Sequence, residues 1–153
     1  MRSNRSHEPQ ARSAADFDSR PLPHQVVISS DLSAAREVEE EILRKACGLG
    51  YSPDCCFAVR LSLEEAIVNA HKHGNKADPN KKIIISHQVD GQRVVVRVRD
   101  EGTGFDPGEL PDCTAPDRIS LPNGRGIMLM CAYMDSVCYN ATGNEVQLVK
   151  EKC

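Results

Sequence analysis

Glu65, Asn69 and His73 fall at every fourth position of a stretch reading Glu-Ala-Ile-Val-Asn-Ala-His-Lys-His-Gly-Asn over residues 65–75. On a helix that spacing lines the three side chains up along one face. The chemistry on offer is specific: a carboxylate can take a proton from a hydroxyl or orient it. One turn on, an amide oxygen is a hard, neutral ligand for a small divalent cation. Ala66, Ile67 and Ala70 beside the row are small or apolar, so the helix can lie close against a sheet. Glu64, about 100° further round, reads as a surface acid. His71 and His73 are two residues apart and point to nearly opposite sides, which argues against a shared metal. A Glu and an Asn at this spacing also suit a plain solvated edge. The row gains weight only from two glycine motifs downstream, Asp100-Glu101-Gly102-Thr103-Gly104 and Gly124-Arg125-Gly126.

The elements that must carry these residues are legible in the pattern. Residues 25–29 read as a first strand. Leu32, Ala35, Val38, Ile42, Ala46 and Leu49 then recur at threes and fours, an amphipathic helix ended near Gly48 or Gly50. Its acidic run Glu39-Glu40-Glu41 reads as a solvated face. Ser52-Pro53-Asp54 has the form of a helix start, with a capping hydroxyl, a proline and an acid near the positive end of the dipole. That helix should run to Gly74-Asn75, about 20 residues and ~30 Å. Residues 82–99 form the clearest strand pair, with Asp90-Gly91 as a type I′ turn signal. Val94, Val96 and Val98 alternate with Arg93, Arg97 and Arg99, predicting one core face and one solvent face. Gly124-Arg125-Gly126 opens a short helix carrying Ile127, Met130, Cys131 and Met134. Residues 136–150 read as a final hairpin. No internal repeat is present.

Composition narrows the class. The chain has 153 residues, with 19 basic against 22 acidic for a net charge of −3. That balance gives no basic surface for direct nucleic-acid or anionic-membrane binding. With no apolar run of spanning length and no signal-peptide core, a cytoplasmic protein is expected. Seven cysteines form no Cys-x-x-Cys pair, so they read as reduced thiols packed as small hydrophobes. Residues 1–23 read as a flexible tail ahead of one domain over 24–153. The proline-rich, aperiodic segment 106–123 reads as a lid over a ligand.

A helix with Glu65 and Asn69, an Asp-x-Gly-x-Gly after a strand, and a Gly-x-Gly opening a helix resemble, in that order, the boxes of the GHKL (histidine-kinase-like) ATPase domain. The wording of residues 65–75 and the small size most resemble the bacterial anti-sigma factor serine/threonine kinases. The resemblance covers roughly residues 26–150. It implies the Bergerat fold: an α/β two-layer sandwich with a mixed, mainly antiparallel sheet and helices on one face. Walker-type Gly-x-x-x-x-Gly-Lys-Ser/Thr is absent, so this is no P-loop protein.

The resemblance implies ATP and Mg²⁺ as cofactors, and the residues suit them. Asp100 can accept a hydrogen bond from the adenine amino group, where guanine would present another acceptor. Gly102 and Gly104 let backbone approach a flat base. Gly124 and Gly126 put bare amides at a helix start that favours phosphate. Arg125 either offsets phosphate charge or points to solvent. Asn69 is expected as the Mg²⁺ ligand and Glu65 as the catalytic base or orienting group. His73 is expected to close the helix end through a hydrogen bond, as the family's His-Gly pair implies.

Two functions follow. In the first, a serine/threonine protein kinase acts as an anti-sigma factor, phosphorylating an anti-anti-sigma antagonist and sequestering a sigma factor; a second copy of the chain is a further candidate partner. The alternative is a nucleotide-gated binding module that holds a regulator without phosphoryl transfer.

Overall fold

Val94, Val96 and Val98 are buried while Arg93 and Arg99 are exposed, and this alternation sets the architecture. In the computed structural model, residues 11–12, 17–104 and 124–153 are described. Strands β1 (Ala11–Arg12) and β2 (His24–Ser29) are followed by helices α1 (Leu32–Gly48) and α2 (Pro53–Asn69). A π-helical turn, Ala70–Gly74, continues α2. Then come β3 (Lys82–Val89), β4 (Arg93–Asp100), α3 (Gly124–Tyr133), β5 (Ser136–Tyr139) and β6 (Glu145–Glu151). The strand order is β1-β5-β6-β4-β3-β2. Every pairing is antiparallel except the short β1–β5 contact, which is parallel. This is the two-layer α/β sandwich with a mixed, mainly antiparallel sheet expected from the sequence.

The core lies between the sheet and one helical layer. Ile83, Ile85, Val94, Val96 and Val98 from the sheet share it with Ala35, Val38 and Ile42 of α1, Val59, Leu63 and Ile67 of α2, and Ile127 and Met130 of α3. Each helix supplies a stripe because apolar residues recur at helical spacing and water is expelled from that face alone. Leu32 and Leu49, at the two ends of the α1 stripe, are exposed.

Four local expectations are corrected. Arg97 is buried, unlike Arg93 and Arg99. Residues 17–20 cover its face: Arg97 Nη1 donates to the Arg20 carbonyl at 2.6 Å, Nε donates to Gln147 Oε1 at 2.9 Å, and the guanidinium lies 5.4 Å from the Phe17 ring centre. Glu39 is partly buried within the acidic run; burial first, and the Glu64 charge second, push its carboxyl up to about 7. The β3–β4 connection is not type I′, because Gly91 has no positive φ. Its three residues are held by the Asp90 carboxylate, which accepts from the amides of Gln92 at 2.8 Å and Arg93 at 2.9 Å. Cys47, Cys55, Cys56 and Cys153 are free thiols, but Cys131 is disulfide-bonded. The expected lid, residues 106–123, and residues 1–10 and 13–16 of the expected tail lie outside the described residues.

Candidate functional site

Helix α2 starts where the sequence says it should. The Ser52 hydroxyl accepts from the Cys55 amide at 3.1 Å, Pro53 occupies the first turn, and Asp54 complements the dipole. Its far end widens into the π-helical turn, a distortion that recurs at functional sites. The hydrogen bonds closing that end are made by Asn75, not by His73. The Asn75 amide donates to the Ala70 carbonyl at 2.8 Å. Its fully buried side chain donates to Ser30 Oγ at 3.2 Å and to the Lys82 carbonyl at 2.9 Å, and accepts from the Glu101 amide at 2.8 Å. One amide thereby joins the helix end, the start of β3 and the loop after β4. His73 is exposed instead, while His71 turns to Ser30 Oγ at 2.8 Å.

The loop after β4 is threaded between two backbones. A Cβ on Gly74 would overlap the Asp100 carboxylate, and one on Gly102 would overlap the Gly74 carbonyl oxygen. Gly104, at φ +75°, sits under the Thr142 carbonyl with no room for a side chain. Across from it, the β5–β6 turn is held by Asn140 Oδ1, which accepts from the amides of Gly143, Asn144 and Glu145 at 2.8, 3.1 and 3.2 Å. The Asp100 amide donates to the Asn144 carbonyl at 3.0 Å, fixing the strand end.

These elements enclose a cleft of about 520 Å³, within the range of a nucleotide-sized ligand. Asn69, His73, Asp100, Gly104, Tyr139 and Asn144 are among its lining residues. Asp100 is partly buried there, and burial pushes its carboxyl up, opposed by the Gly102 amide at 2.8 Å and the charge of Lys81. Burial and the Asp100 charge push the Tyr139 phenol up, so it remains protonated. Gly126, in the first turn of α3, faces the polar row of α2. A Cβ there would come within 2.7 Å of Glu65 Oε2 and 3.3 Å of Asn69 Nδ2.

The structure thus brings Asn69, His73, Asp100 and Gly104 to one cleft and packs Gly126 on Glu65 and Asn69. Gly102 lies in the same loop beside Gly74, and Gly124 begins α3. The Arg125 side chain lies outside the described residues. Sequence reasoning gave no role to Asn75, Tyr139, Lys76 or Lys81, the last two also lining the cleft. An Asn directly after a helix-ending Gly was the available signal for Asn75.

The arrangement is that of a nucleotide-binding α/β domain, and comparison with known proteins places it. The model of the histidine kinase-like ATPase domain matches residues 28–150, and the chain belongs to this family. The serine-protein kinase RsbW of Bacillus subtilis is 32% identical over 113 residues, covering 69% of this chain and 70% of that protein. An anti-sigma F factor of Clostridium perfringens is 26% identical over 99 residues, covering 61% and 69%. A crystal structure of the RsbU and RsbW domains of a Mycobacterium tuberculosis protein aligns with a TM-score of 0.49 at 13% identity. That alignment covers 84% of this chain but only 32% of the other. Among the described residues, no helix is long and apolar enough to cross a membrane.

Proposed function

We propose that this chain is an ATP-dependent serine/threonine protein kinase and anti-sigma factor of the cytoplasm, with residues 24–153 as its catalytic domain. It phosphorylates an anti-anti-sigma antagonist and sequesters a sigma factor. The observation that carries this reading is Gly126 packed bare against Glu65 and Asn69, on the helix that also walls the Asp100 cleft. Relatives named as serine-protein kinase and anti-sigma F factor support it.

The residues fit ATP with Mg²⁺. The cleft has the volume, one carboxylate among its described lining residues suited to an amino group, and glycines where a Cβ would block close approach. Among the described residues no group of three or more His, Cys, Asp and Glu is placed to hold a metal. Asn69 with phosphate oxygens matches the sparse protein ligation usual for Mg²⁺. When bound, ATP supplies the transferable phosphoryl group and Mg²⁺ offsets its charge. Asp100 would accept from the adenine amino group, and the amides at the start of α3, at Gly124 and Gly126, would favour phosphate, with Arg125 available to add charge. Glu65 takes the proton from the incoming serine or threonine hydroxyl.

The test is label transfer from γ-labelled Mg-ATP to a serine or threonine of the antagonist that binds the chain. Transfer supports the kinase. Tight binding of nucleotide and partner without transfer contradicts it and favours a nucleotide-gated binding module.

A further inference from the structure

Away from the cleft, two thiols meet where α1 ends and α2 begins. Cys47 Sγ and Cys56 Sγ are 3.2 Å apart. A disulfide bond is about 2 Å long, so bonding asks for a closure of roughly 1 Å. Cys47 is exposed and Cys56 partly buried, giving a reagent access to one sulfur while the other waits behind it. Both line a shallow groove with Leu43, Pro53, Phe57 and Arg60, and none of these residues lines the nucleotide cleft. The neighbouring thiols are engaged elsewhere. Cys55 is buried with its sulfur toward the Glu151 carbonyl at 3.4 Å, and Cys153 lies by Ser52 Oγ at 3.5 Å.

We propose that Cys47 and Cys56 form a redox-modification site that a hydroperoxide converts to a reversible disulfide stapling α1 to α2. Cys47, as thiolate, attacks one peroxide oxygen, breaking the O–O bond and becoming a sulfenic acid; the other oxygen leaves as hydroxide and takes up a proton. Cys56 sulfur then displaces the sulfenic oxygen, which departs as water once protonated. Two thiols lose two electrons and one hydrogen peroxide becomes two waters. The exposure of Cys47 makes it the point of entry; burial, and then the Cys47 contact, push the Cys56 thiol up to about 11, which lowers the thiolate fraction available for the second step.

The test treats the full chain with hydrogen peroxide, alkylates remaining thiols, cleaves after Tyr51 and maps the peptides by mass. A Cys47–Cys56 bridge is expected, with Cys47 alkylation reduced at least tenfold and restored by dithiothreitol. Cys47→Ser and Cys56→Ser should each abolish the bridge, whereas Cys55→Ser should keep it. Full alkylation of both thiols after peroxide, a bridge that survives Cys56→Ser, or a bridge to Cys55 or Cys153 would overturn the proposal. The readout uses no nucleotide, so it stands or falls apart from the kinase reading.

Discussion

The Glu101 amide donates to Asn75 Oδ1 at 2.8 Å, tying the end of the π-helical turn to the loop that follows Asp100. Asn75 also donates to Ser30 and to the Lys82 carbonyl from a site closed to water. Replacing it with leucine keeps much of the volume but leaves buried backbone groups without partners. Asn75→Leu should destabilise the fold by about 2–4 kcal/mol, read as a lowered urea midpoint. An unchanged midpoint would show that the junction is held by other contacts.

Gly126→Ala tests close packing at the helix start. The added methyl would come 2.7 Å from Glu65 Oε2 and must displace that carboxylate. A misplacement of this size typically costs about 10²-fold in rate. Phosphoryl transfer should fall by that order while the thermal midpoint changes little. Wild-type transfer by the variant would place Glu65 away from the chemistry.

His87 sets a pH dependence. It is buried beside Lys45, whose Nζ lies 3.2 Å from its Nε2, and stacks on His24 with ring centres 5.1 Å apart. Burial, then the Lys45 charge, lower its pKa to about 4 from 6.5, with Glu41 opposing. Folding therefore holds His87 neutral where the unfolded chain would protonate it. Its contribution is complete above pH 6.5 and is lost as pH falls toward 4. Glu39, raised to about 7, runs the other way, so wild type must be compared with His87→Gln. The stability advantage of wild type over the variant should shrink by about 1.4 kcal/mol per pH unit across that window. A difference independent of pH would contradict a neutral buried His87.

The alternation of Val94, Val96 and Val98 and the cap at Ser52 were legible because they depend on local periodicity and backbone chemistry. The glycine motifs were legible for the same reason, since a missing Cβ is readable in one letter. Arg97 was not. Its burial depends on residues 17–20 crossing the sheet, and strand alternation carries no information about what covers the outer face. Asn75 was visible as a helix-ending residue, but its three partners lie 26 or fewer positions away in one direction and 45 in the other. The Asp90 turn was misread because a carboxylate holding two amides competes with the dipeptide's preference for positive φ.

Asp100 should discriminate between bases. Asp100→Asn removes a charge-assisted acceptor for the adenine amino group and should weaken ATP binding by about 1.5–3 kcal/mol. Wild type should prefer ATP to GTP in calorimetric titration. Equal affinities for the two nucleotides would show that Asp100 does not read the base.

Binding and chemistry separate most cleanly at Glu65. Glu65→Gln keeps size and hydrogen-bonding capacity but removes the proposed base, whereas Asn69→Ala removes the proposed metal ligand. Asn69→Ala should lose both Mg-ATP affinity and transfer. The decisive measurement is the rate of phosphoryl transfer to the antagonist by Glu65→Gln, taken beside its nucleotide affinity. ATP affinity close to wild type with transfer slowed by about 10²–10⁴-fold is the predicted result. Transfer at the wild-type rate would contradict it and reduce Glu65 to part of the wall.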